Sequence, residues 1–112
     1  MDIGEATVAD LLLELSLRGG HPGALGEAGM LCLKKSEDYN RGMGHADPVA
    51  VNRDAYFPFG LTSYTQMLHT KTQRLVSLCQ ADATNFESAR DTCLDLINYA
   101  GFCADWLQRS TK

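Results

Sequence analysis

The sequence lacks most of the features that announce a protein class outright. No run of apolar residues approaches the ~18 needed for a helical membrane span, and Met1-Asp2-Ile3-Gly4-Glu5 has no basic start of a secretory signal. The ten Lys and Arg residues are scattered and outweighed by fourteen acids, for a net charge of −4, so no surface suited to duplex nucleic acid is expected. No pair among Cys32, Cys79, Cys93 and Cys103 has CxxC spacing, and His21, His45 and His69 stand apart from them. That pattern argues against a zinc site and for small core thiols in a reducing compartment. The glycine-rich stretch Gly19-Gly20-His21-Pro22-Gly23 has neither the GxGxxG nor the GxxxxGK[ST] pattern and follows a helix, so it is not read as a phosphate loop. Strand alternation, internal repeats and domain linkers are missing too. The expectation is a single soluble domain over 1–112, cytoplasmic, with no membrane partner.

What is present is helical. Thr7 can cap a first helix with Asp10 in its first turn, and Gly19-Gly20 ends it. Leu11, Leu12, Leu13, Leu15 and Leu17 point in too many directions for a surface helix, so this helix is either deeply packed or part of an oligomer interface. Pro22 suits a first-turn position, and a second helix is expected from about Ala24 to Tyr39. The segment from Asn40 to Gly60 reads as a long loop whose end is tied down, or given a stacking surface, by Tyr56, Phe57 and Phe59 around Pro58. A third helix, about Thr62 to Cys79, has the apolar stripe Tyr64, Met67, Leu68, Leu75 and Leu78, with Lys71 in its middle. A lysine there wants a carboxylate or phosphate partner, or else snorkels. Four helices and three connections, two of them short, predict an all-α compact four-helix bundle.

The last helix, Thr84 to Gln108, is the most informative stretch. Thr84-Asn85-Phe86-Glu87 has the form of a capping box. At about 100° per residue, Glu87, Asp91, Asp95 and Asn98 fall within roughly 80° of one another. Ala89, Cys93, Leu96, Ile97, Ala100, Ala104 and Leu107 fill the opposite side, which is expected to face the core. The polar stripe contains no Lys or Arg. Acids one turn apart repel, so water, a cation or a metal must relieve them. Either the stripe is solvated, or it faces a cleft and holds Mg²⁺ or a polar ligand.

Four segments carry a resemblance to a known family: Lys35-Ser36-Glu37-Asp38-Tyr39, Tyr56-Phe57-Pro58-Phe59, Lys71-Thr72-Gln73-Arg74-Leu75, and the helix from Glu87 to Tyr99. In order and approximate spacing, from about Lys34 to Leu107, they resemble a phage protein family, the nucleotide-modification-associated domain of the first type. The resemblance implies a nucleotide ligand and a phage protein in the host cytoplasm. The helical pattern is also distantly similar to all-α MazG-like nucleoside triphosphate pyrophosphatases, which hold Mg²⁺ with acids on two neighbouring helices. This chain supplies one such helix through Glu87, Asp91 and Asp95. It departs on the other, because Glu27 and Asp38 lie about three turns apart and no E-E-x-x-E run exists.

Three functions follow. In the first, the protein binds a nucleotide or cyclic nucleotide, either for nucleotide modification or to sequester a signalling nucleotide made by host immunity. Lys35, Lys71 and Arg74 would hold phosphates, Tyr39, Phe57 or Phe59 would stack on the base, and Asp38, Asp91, Asp95 and Asn98 would supply polar contacts. In the second, Glu87, Asp91 and Asp95 hold Mg²⁺ for pyrophosphohydrolysis. In the third, the chain is a structural or protein-interaction bundle, and Lys71 pairs internally with Asp91 or Asp95. A homo-oligomer is expected under all three.

Overall fold

A computed structural model describes residues 7–39, 55–80 and 86–111. The chain is all-α: the described residues form the helices α1 (Val8–Arg18), α2 (Gly20–Tyr39), α3 (Leu61–Gln80) and α4 (Phe86–Ser110), with no strand among them. No helix among these residues is long and apolar enough to cross a membrane. The chain divides into two compact units, 1–53 and 54–112. In each, two helices pack as an antiparallel hairpin.

In the first unit, Thr7 caps α1 as its sequence position suggests. The Thr7 hydroxyl accepts from the Asp10 amide, and the Asp10 carboxylate accepts from the Thr7 amide, both at 3.1 Å. Two orphan donors of the first turn are thereby satisfied. Arg18 reaches back one turn to Glu14 at 2.8 Å. Gly19 then adopts φ 71°, where a side chain would be strained, and the chain reverses. α2 begins four residues earlier than its sequence suggests. The Gly23 amide donates to the Gly19 carbonyl at 2.9 Å, so the first turn is already closed before Ala24. Pro22 does not prevent this, because an amide in the first turn has no partner inside the helix to lose.

What joins α1 to α2 is a row of missing side chains. Gly23, Gly26 and Gly29 recur every three residues. A Cβ on Gly26 would lie 2.5 Å from the Ser16 amide nitrogen and 2.6 Å from the Leu12 carbonyl oxygen. One on Gly29 would lie 2.4 Å from a terminal carbon of Leu12, whereas one on Gly23 would meet the Ser16 carbonyl at an almost ordinary 3.4 Å. The backbones therefore approach as they could not past larger residues. Each glycine inside a helix costs about 0.5–1 kcal/mol relative to alanine, so α2 depends on this packing rather than on its own propensity. No residue of α1 is buried; Leu17 is 75% exposed and Val8 63%.

In the second unit, α3 turns inward the stripe its sequence predicts: Tyr64 is fully buried, and Met67, Leu68, Lys71, Leu75 and Leu78 are half-buried. α4 departs from expectation in part. Ala89, Leu96 and Ile97 are half-buried as expected, but Cys93, Ala100, Ala104 and Leu107 are exposed, while Thr92, Leu94 and Cys103 are buried and Asp95, Tyr99, Phe102 and Trp106 are half-buried. The aromatic face turned to α3 is thus centred roughly 100° from the middle of the expected one. The reason is volume. Tyr99, Phe102 and Trp106 bury more apolar surface per residue than alanines and cysteines do. The two polar residues among them are both satisfied: Thr92 donates to the Ser88 carbonyl at 2.9 Å, and Asp95 meets Lys71.

Candidate functional site

The second unit carries most of the residues singled out by sequence, and its core explains their placement. Just before α3, Gly60 takes φ 57°. It also leaves room for Trp106, whose ring would be 2.6 Å from any Cβ there. The Gly60 amide donates to the Phe57 carbonyl at 3.3 Å, and the Phe59 amide donates to the Ser63 hydroxyl at 2.9 Å. This turn drives Phe57 inward and Phe59 outward. The Phe57 ring stacks on Tyr64 with centroids 4.5 Å apart and meets the edge of Tyr99 at 5.9 Å. Tyr99 in turn meets Phe102 edge-on at 5.9 Å. Offset and edge-to-face contacts of this kind add about 0.5–1.5 kcal/mol per pair beyond burial. Of the two roles open to the aromatic segment, Phe57 takes the pinning one.

One turn and more along the same seam, the Lys71 ammonium lies 3.1 Å from an Asp95 carboxylate oxygen and 6.0 Å from the Tyr99 ring centroid. The two side chains are 22% and 18% exposed. The lysine in the middle of an apolar stripe thus has the carboxylate partner its position calls for, drawn from the opposite helix. The aromatic segment, the K-x-x-R-L segment and the acidic helix all meet around Tyr99.

The rest of the acidic stripe behaves differently. Glu87 and Asp91 are exposed and make no ion pair or hydrogen bond among the described residues. Water can relieve their mutual repulsion. Asn98 is half-buried. No group of three His, Cys, Asp or Glu side chains converges as metal ligands would among the described residues. The capping residues Thr84 and Asn85 lie outside the described residues.

Phe59 is 78% exposed and Tyr56 62%. Both edge an open groove of about 310 Å³ whose floor comes from Phe57 and Met67 and whose far side is Thr62, Gln66 and Thr70 of α3. The other ligand candidates expected from the sequence are dispersed. Arg74 is exposed and makes no ion pair or hydrogen bond among the described residues. Lys35 is exposed on α2 in the first unit; the side chains of Asp38 and Tyr39 and most of the loop before Ala55 lie outside the described residues. Sequence reasoning passed over Thr62, Gln66 and Thr70. Their signal was available as three uncharged polar residues, one turn apart, starting three residues after Phe59.

Comparison with protein-family models, with characterised proteins and with solved structures finds no match to this chain.

Proposed function

We propose that the chain is a small nucleotide-binding protein of phage type, which serves nucleotide modification or sequesters a signalling nucleotide. The observation that carries this reading is the meeting of three of the four resemblance-bearing segments on one hairpin: Phe57 and Lys71 both lie against Tyr99, and Lys71 is paired with Asp95. Lys71 and Arg74 are the cations offered to phosphate, and Phe59 is the ring offered to a base. Arriving phosphate competes with Asp95 for Lys71, so the exchange adds little net energy at that point. Arg74, which has no partner among the described residues, contributes more.

The test is a thermal-shift and calorimetric panel of mono-, tri-, di- and cyclic nucleotides with and without Mg²⁺, followed by chromatography of each ligand. A ligand that binds only the native state raises the apparent stability by mass action. Stabilisation with the nucleotide recovered intact supports a binder; release of pyrophosphate in the presence of Mg²⁺ replaces it with a pyrophosphohydrolase using Glu87, Asp91 and Asp95. Lys71→Ala and Arg74→Ala are both expected to weaken binding. Retention of full affinity by both variants would put the site elsewhere.

One observation favours a second reading, a protein-interaction module. The Lys71 charge is already met inside the hairpin, and α1 presents leucines that its own hairpin does not bury. Under either reading a homo-oligomer is proposed, with α1 in its interface. Light scattering after size-exclusion chromatography tests it, and a monomer at tens of micromolar would refute it.

A further inference from the structure

We infer that the groove between the turn at residues 56–60 and α3 is the base pocket of a mononucleotide site, and that Arg74 is its phosphate anchor. The inference rests on the nucleotide-binding reading and narrows it: the ligand is a nucleoside mono- or diphosphate, not a dinucleotide, and its base lies away from the acidic stripe of α4.

Four observations lead there. First, Phe59 is an exposed aromatic ring with no ring partner among the described residues, at the edge of a concave surface. Its backbone is held by the hydrogen bond to Ser63 and by the turn at Gly60, so the ring is presented rather than left on a free tether. A planar heterocycle can stack on it, with the thioether of Met67 in the groove below. Second, Gln66 lines the same groove, and its side-chain amide makes no hydrogen bond among the described residues. A primary amide offers two donors and an acceptor with two lone pairs, which matches the mixed edge of a nucleobase. The Thr62 hydroxyl beside it is likewise uncommitted among the described residues.

Third, no charged residue lines the groove among the described residues, and the cation one turn beyond Thr70 along α3 is Arg74. Thr62, Gln66, Thr70 and Arg74 follow one another at intervals of four and form a single ridge along α3. Arg74 lies about 12 Å along the axis from Gln66, one turn beyond the Thr70 that lines the groove, and helical side chains as a class lean back toward the N-terminus. An uncharged ring site with one guanidinium beyond it has the charge distribution of a nucleotide: neutral base, neutral sugar, anionic phosphate. Fourth, the volume of about 310 Å³ stands at the lower bound of ligand pockets, which are roughly 300–1,000 Å³. That suits one base with its sugar.

The experiment uses the full chain and calorimetric titration with AMP, GMP, UMP and CMP, their parent nucleosides, ribose 5-phosphate, and a cyclic dinucleotide. At least one mononucleotide is expected to bind more tightly than the cyclic dinucleotide. For that mononucleotide, Phe59→Ala and Gln66→Ala each weaken binding about tenfold, and Phe59→Leu, which keeps apolar bulk without a π face, behaves like Phe59→Ala. Arg74→Ala weakens the mononucleotide about tenfold and leaves the nucleoside unchanged; ribose 5-phosphate responds to Arg74→Ala and not to Phe59→Ala. Phe59, Gln66 and Arg74 are exposed, so these variants keep the fold, which circular dichroism verifies. Mononucleotide binding that is unmoved by Phe59→Ala and Gln66→Ala overturns the groove assignment while the nucleotide-binding reading survives. Tighter binding of the cyclic dinucleotide overturns it in the same way. If no nucleotide or nucleoside binds at millimolar concentration, the groove assignment and the broader reading fall together.

Discussion

The two hairpins solve the same packing problem by opposite means. In the first unit, α1 and α2 close on one another through glycines, and contact is made largely with backbone. In the second, α3 and α4 close through the rings of Phe57, Tyr64, Tyr99 and Phe102, with the Lys71–Asp95 ion pair in the seam. A glycine seam removes little apolar surface per contact, and it leaves leucines on the outside. An aromatic seam buries large side chains and keeps the residues with chemistry in fixed positions. A binding site is best built on the better-determined scaffold, and the proposed one, with the groove, Lys71 and Arg74, is on the second hairpin.

That contrast is open to breakage by substitution. The largest effect is expected at Tyr64, which is fully buried and stacked on Phe57. Tyr64→Ala should lower stability by about 3–5 kcal/mol in denaturant titration; a loss below ~1 kcal/mol would mean that the aromatic seam does not hold this hairpin. Next comes Gly26→Ala, which sets a methyl against backbone atoms of α1 and should cost about 1–3 kcal/mol. Gly29→Ala should cost less, because the obstructing Leu12 carbon belongs to a side chain that can rotate. The reverse order would contradict the backbone-to-backbone seam.

Asp95→Ala leaves Lys71 half-buried and without its carboxylate. The expected loss is about 1–2 kcal/mol, between the small effect of an exposed pair and the larger one of a fully buried pair. A double-mutant cycle with Lys71→Ala isolates the coupling, and a coupling of zero would reduce the pair to coincidental proximity. The smallest effect has the opposite sign. Gly101 is exposed in the middle of α4, and a Cβ there would meet nothing within 4 Å. Gly101→Ala should stabilise by about 0.5–1 kcal/mol through helix propensity alone. Thermal melts of Gly26→Ala and Gly101→Ala side by side would separate a glycine needed for contact from one that is merely tolerated.

Much of the framework was legible beforehand. Thr7 with Asp10, the reversal at Gly19, and the stripe on α3 follow from capping chemistry and from period 3.6. The carboxylate partner of Lys71 was legible because a cation on an inward face is costly unless paired. Other features were hidden. Glycines at 23, 26 and 29 look like helix breakers to any propensity argument, because the compensating contact is with another helix and has no local signature. The inward face of α4 was misjudged because Asp95 and Thr92 interrupt it. Periodicity counts a polar residue as solvent-facing, and only the position of Lys71 on the facing helix reverses that count. The groove stayed out of sight because Phe59 and Gln66 are brought together by the turn at Gly60, which periodicity does not register.

Cys103 sits on the buried face of α4, while Cys79 and Cys93 are exposed, and the cysteines form no disulfide. The three thiols amount to a clock and its two references. Under a slow alkylating reagent the exposed pair is modified at the intrinsic rate, and Cys103 only when the aromatic seam parts. The ratio of the two rates reads the opening free energy of that hairpin directly, with no substitution and no denaturant.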